Sequence, residues 1–146
     1  AELLEKPLGE GSVTLVLETE ESANGRNARK YAEINGYAQA HRPVSYDNSE
    51  VDSKAVVEVI EKACVNAGIE ADNIDFVCCD DRKIIKTLMP CYDVSQEIGN
   101  ARAAASAMTA AYAAELLSDS EKNYEYGLAI SMGAGGTYSA VILKKA

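Results

Sequence analysis

The run Ser131-Met132-Gly133-Ala134-Gly135-Gly136-Thr137 is the stretch whose residue types and spacing are most suggestive of chemistry. A glycine-rich loop that opens a helix cradles phosphate on the helix's first amides. Here apolar runs flank the glycines on both sides, Leu128-Ala129-Ile130 before them and Ala140-Val141-Ile142-Leu143 after. That pattern predicts strand, turn, strand, and argues against a phosphate site. Two readings of the turn stay open. Glycine supplies the positive φ that a tight hairpin needs. Alternatively, a turn without side chains lets a substrate lie against the backbone.

The remaining reactive side chains are few. Cys64, Cys78, Cys79 and Cys91 contain no CxxC spacing, and His41 is the sole histidine. Cys78 and Cys79 sit in an apolar run, where neighbours on a strand point to opposite faces. They read as packed, reduced thiols of a cytoplasmic protein rather than zinc ligands or nucleophiles. His41, in a polar loop with Pro43, reads as a surface residue. No metal, nucleotide or other cofactor is expected.

Bulk properties exclude several classes. The net charge of −9 has the wrong sign for nucleic acid or an anionic membrane surface. No apolar run approaches the ~20 residues that cross a bilayer, and no signal-peptide pattern opens the chain. A chain of 146 residues hides roughly two-thirds of its unfolded surface and can hold a real core. It opens on Ala1 rather than Met, and reads as a piece of a longer chain.

The elements that must hold these residues follow from periodicity. Residues 12–20 are β-rich and predict a strand. Asn24-Gly25 marks a turn, and residues 30–39 alternate as a second strand, antiparallel to the first. Ser49 or Asp52 caps a helix through about Asn66, with Val56, Val59, Ile60 and Ala63 on one face and Gly68 ending it. Ile74 to Cys79 predicts a strand buried on both sides. Asp80 to Met89 predicts a short amphipathic helix stopped by Pro90. Ile98 to Leu117 predicts an alanine-rich helix, small on nearly every side and suited to packing between two layers. Strands at 126–132 and 137–144 close a hairpin. The order β-β-α-β-α-β-β implies an α/β fold with a mixed five-stranded sheet and helices packed on it.

Four stretches together resemble the C-terminal half of a condensing enzyme of the thiolase fold, a β-ketoacyl-ACP synthase. They are Gly9-Glu10-Gly11 leading into Val13 to Glu18, Ala67-Gly68-Ile69 with Ile74 to Val77, Gly99-Asn100 leading into Ala101 to Ser106, and Ser131 to Thr137. Their order and spacing cover nearly the whole chain. The resemblance implies one thiolase-like domain over residues 1–146 within a longer chain. It further implies Claisen condensation of acyl thioesters in fatty-acid or polyketide synthesis, with the nucleophilic cysteine in an N-terminal half. The half seen here supplies hydrogen-bond donors that stabilise a developing enolate.

Matched to that pattern, Asn100 takes a thioester or oxyanion position, and Gly133, Gly135, Gly136 and Thr137 match the substrate-side hairpin. Asp80 falls where the family has a catalytic histidine. A carboxylate cannot donate to an enolate oxygen at neutral pH, so Asp80 reads as a solvated cap rather than a functional group. Ser95 falls near a family lysine and Ala134 on a gatekeeper phenylalanine. The resemblance therefore implies a catalytically degenerate or partner-type member, cytoplasmic and oligomeric. Its expected partners are an acyl carrier protein or acyl-CoA thioester, and an N-terminal thiolase-like half in cis or a ketosynthase in trans. The alternatives are a divergent but active condensing enzyme, or a small non-enzymatic binding module that reuses half the fold. An acidic carrier would dock either on a local basic patch around Arg26, Arg29 and Lys30 or, the favoured alternative, on the missing half.

Overall fold

The helix at Ser53–Ala67 shows how directly local chemistry sets the elements. The Asp52 carboxylate accepts from the Lys54 and Ala55 amides at 2.9 and 3.3 Å, satisfying donors a helix start leaves free. Gly68, at φ 69°, turns the chain left-handed and closes the other end onto the Cys64 and Val65 carbonyls. Ala55, Val56, Val59, Ala63 and Cys64 form its buried face. The computed structural model describes residues 7–43 and 51–146; the alternative cap Ser49 and most of the loop after His41 lie outside them.

In chain order the elements are α1 (Glu20–Gly25), β1 (Glu33–His41), α2 (Ser53–Ala67), β2 (Phe76–Cys79), β3 (Cys91–Asp93), α3 (Val94–Ile98), α4 (Ala105–Ser118), β4 (Tyr126–Gly133) and β5 (Thr137–Lys144), with single 3-10 turns at Ala71–Asn73 and Arg102–Ala104. The strands form one mixed sheet in the order β1-β5-β4-β2-β3. β2 runs parallel to β3 and β4, while β5 is antiparallel to β4 and β1. The α/β class and the mixed five-stranded sheet are as the sequence implies.

Each face of the sheet has its own core. Val77, Cys79, Leu128, Ile130, Tyr138, Ala140 and Ile142 pack under α2. Phe76, Cys78, Ala129 and Leu143 pack against Ala113 and Leu117 of α4. Tyr138 is wholly buried, and its hydroxyl accepts from the Asp52 amide at 2.8 Å, linking the sheet to the α2 cap. Asp75 fastens the starts of β2 and β4, its Oδ2 accepting from the Glu125 and Tyr126 amides at 2.7 and 2.9 Å.

Three expectations are corrected. Residues 12–20 form no strand: β-propensity needs a neighbouring strand to be realised, and among the described residues this segment has none. Leu15, Val16 and Leu17 are 46%, 77% and 70% exposed there. The antiparallel neighbour of residues 33–41 is β5 instead, and the three-residue β3 supplies the fifth strand. Residues 80–89 form turns, because the Asp81 carboxylate accepts from the Lys83 amide at 2.9 Å and competes with helix. The long helix expected from Ile98 is split. Gly99 at φ 77° and Arg102 at φ 51° break it between α3 and α4.

Candidate functional site

The three positions of interest sit where the parallel strands end, at the edge where open α/β sheets bind ligands. Asp80 directly follows β2, Asn100 lies on the connection from β3 through α3, and the glycine turn joins β4 to β5.

The turn is a three-residue loop closed by Gly136 N donating to Gly133 O at 2.9 Å, with Gly133 opposite Thr137. Gly136, at φ 85°, is the residue the turn geometry requires to be glycine. Gly135 has nothing within 4 Å of where a Cβ would sit, and at Gly133 a Cβ would make only ordinary 3.7 Å contacts with Thr137. The glycines of the turn therefore differ in what folding asks of them. Gly136 answers a folding need, while Gly133 and Gly135 bare the backbone at an exposed site where local folding asks for no glycine.

Asp80 departs from its expected role as a solvated cap. Its Oδ1 is buried and has no hydrogen-bond partner among the described residues. Burial pushes the carboxyl up to about 6, against the pull of its own amide and that of Met132, with the Asp81 and Asp93 carboxylates pushing it further up. The carboxyl therefore faces the last turn of β4, beside the glycines. At neutral pH it is mostly ionised, and below about 6 it becomes a hydrogen-bond donor.

Asn100 is fixed by its backbone. Its amide donates to Pro7 O at 2.8 Å and its carbonyl accepts from Gly9 N at 3.1 Å. Gly9 and Gly99 make this clamp possible: a Cβ on Gly9 would fall on the Ile98 carbonyl, and one on Gly99 would lie 2.7 Å from Pro7 O. The Asn100 Oδ1 accepts from the Arg102 amide at 2.9 Å, which turns the side-chain NH2 into the group's available donor. Upstream, Asp93 caps α3, accepting from Ser95 N and Ser95 Oγ at 3.0 and 2.6 Å, and from Arg82 N at 3.2 Å. Ser95 is thus a buried capping partner.

The structure joins Asp80 to the end of β4, and Thr137 to a residue the sequence reading set aside. His41 Nδ1 lies 3.1 Å from Thr137 Oγ1, across the β1–β5 register. Pairing the second predicted strand with the last would have revealed this neighbour. The basic patch does not survive: Arg26 is paired with Glu18, Lys30 lies 3.4 Å from Glu20, and Arg29 stacks on Tyr31. Cys78 and Cys79 are wholly buried core residues, and burial raises the Cys78 thiol to about 12. Between α4 and the sheet lies a shallow cavity of about 240 Å³, lined by Ser131 and Ser139 among small residues. Among the described residues, no helix is long and apolar enough to cross a membrane.

No family model matches the chain. Over 70 residues, 48% of its length, it is 36% identical to a putative mitochondrial 3-oxoacyl-[acyl-carrier-protein] synthase of Schizosaccharomyces pombe, of which the match covers 16%. The ishigamide ketosynthase/chain length factor superposes on 95% of this chain at TM-score 0.77 and 21% identity. A ketosynthase in complex with its type II polyketide-synthase acyl-carrier protein, bound to the hexaketide, superposes on 88% at TM-score 0.72 and 18% identity. The aligned region spans 44% and 42% of those two solved chains, so this chain corresponds to less than half of each. In fold over nearly its whole length, and in sequence over about half of it, the chain is ketosynthase-like.

Proposed function

We propose that the chain acts as the C-terminal, thioester-holding half of a ketosynthase-like protein of fatty-acid or polyketide synthesis, of the catalytically degenerate, partner type. It works in the cytoplasm as part of an oligomer with an N-terminal thiolase-like half, in cis or in trans, that supplies the nucleophilic cysteine. An acyl chain carried by an acyl carrier protein or coenzyme A passes the bare backbone of Gly133 and Gly135. The Asn100 NH2 donates to the thioester carbonyl, and Gly136 and Thr137 keep the turn in shape.

The observation that carries the reading is Asp80. A half-buried, largely ionised carboxylate stands where the resemblance puts a donor histidine, and it would repel an enolate oxygen. Condensation must then draw its donor from elsewhere. The exposed Leu15, Val16 and Leu17 speak against a free-standing binding module, since soluble monomers seldom expose contiguous apolar patches. The net charge and the paired cations near residue 26 favour carrier docking on the other half.

The test is condensation by the assembly captured from its source on a tagged copy of this chain, supplied with acyl- and malonyl-carrier protein. Product formation that survives Asp80→Ala but weakens several-fold with Asn100→Ala is expected. Loss of turnover on Asp80→Ala would make Asp80 part of the chemistry and end the degenerate reading.

A further inference from the structure

Cys79 and Cys91 are separated by 11 residues in sequence, yet their sulfurs lie 3.8 Å apart on the α2 side of the sheet. Neither is in a disulfide, and their surroundings are unequal. Cys79 is wholly buried in β2, while Cys91 is half-buried and opens β3 at the sheet's edge. Cys78, the other sulfur of the adjacent pair, packs on the opposite face under α4. From this arrangement we infer that Cys91 and Cys79 form an oxidative modification site, in which a hydroperoxide converts the pair to an intrachain disulfide.

The chemistry divides the two roles by access. The sulfur of Cys91, the less buried member of the pair, attacks the outer oxygen of the hydroperoxide. The O–O bond breaks, the departing oxygen takes up a proton to leave as water or an alcohol, and Cys91 becomes a sulfenic acid. The Cys79 sulfur then attacks the Cys91 sulfur, and hydroxide leaves with the Cys79 proton as water. Two thiols are oxidised by two electrons and one peroxide is reduced. Burial raises the Cys79 thiol far above its ordinary value, which leaves the first attack to Cys91; the 3.8 Å approach of the two sulfurs then places Cys79 for the second step.

Forming the bond requires the backbone to move. Cys91 lies opposite Val77, and Cys79 opposite Asp93, so the thiols are diagonal neighbours across β2 and β3. Reaching an S–S distance of about 2.05 Å draws β3 inward, and β3 is a three-residue strand that, among the described residues, is paired on one side only. Its last residue is Asp93, the α3 cap. Oxidation therefore ties the segment that leads to Asn100 to the sheet interior.

The experiment treats the full chain with hydrogen peroxide, alkylates remaining thiols after unfolding, and reads intact mass and peptide maps. The expected product is a monomer two hydrogens lighter, with two of its four thiols, Cys64 and Cys78, left to alkylate. Cys78→Ser should keep this product, while Cys79→Ser and Cys91→Ser should each lose it. Cys91→Ser carries the result if Cys79→Ser does not fold, because Cys91 is half-buried at an edge. A disulfide that persists in Cys79→Ser, a Cys91 that stops at sulfinic acid, or covalent dimers alone would overturn the assignment.

Discussion

His41 Nδ1 and Thr137 Oγ1 meet at 3.1 Å, tying the end of the edge strand to the first residue after the glycine turn. The next amide along, that of Arg42, donates to the Gly136 carbonyl at 2.9 Å. The turn is thus held from outside by β1 as well as from within. These two contacts leave Gly133 to Gly135 as the part of the turn that β1 does not hold.

Gly136→Ala forces an L-residue into the left-handed region, at a cost of about 1–2 kcal/mol. For a domain of this size, that lowers Tm by roughly 2–8 °C. Gly135→Ala meets open space and should leave stability within about 0.5 kcal/mol. Paired thermal melts check both. If Gly135→Ala melts as low as Gly136→Ala, Gly135 too is a folding residue, and the bared backbone loses its meaning.

Gly99 combines a φ of 77° with a close approach to the Pro7–Gly9 segment. Gly99→Ala should release that segment from Asn100 and cost roughly 1–3 kcal/mol. Hydrogen exchange at the Gly9 and Asn100 amides reads the release directly. Both should lose protection together, with the α2 amides unchanged.

How far the sequence went can be judged element by element. The helix at 53–67, the buried strand at 76–79 and the closing hairpin were legible because each carries its own punctuation: Asp52 and Gly68, a short apolar run, a glycine turn. The 12–20 segment misled because β-rich composition reports fitness for a sheet, while its neighbour is a matter of tertiary contact. The Asp80 environment was out of reach for a related reason. Whether a carboxyl after a strand is solvated depends on the β4 end and Asp93, more than ten residues away. His41 was missed because its partner is set by the β1–β5 register, which local pattern cannot supply.

Asp80 gives the folded protein a characteristic response to pH. Its folded value near 6 lies above the ordinary 3.8, so between those values the native state holds a proton that the unfolded chain has lost. Stability contributed by this group therefore falls as pH rises from about 4 to 6, and the cost is complete above 6. The loss is roughly 3 kcal/mol at most. Asp80→Asn removes it, so urea midpoints of the variant and the parent should agree near pH 4 and separate by pH 7, the variant being the more stable. Equal separation at both pH values would mean that the carboxyl is not carrying the slope.

Val16, 77% exposed between Leu15 and Leu17, tests whether another chain segment covers the strand-like stretch. Among the described residues Val16 is largely exposed, so Val16→Asp should hold the melting temperature to within a degree or two. Burying an unpaired charge in an interface is far more costly. Capture from source on the tagged variant should therefore lose the thiolase-like partner half that the parent retains, while both chains keep the same thermal stability. Retention of that partner by Val16→Asp would put the interface elsewhere and leave the exposed run without a role in assembly. A fall in melting temperature would instead show that residues 12–18 already pack within this chain.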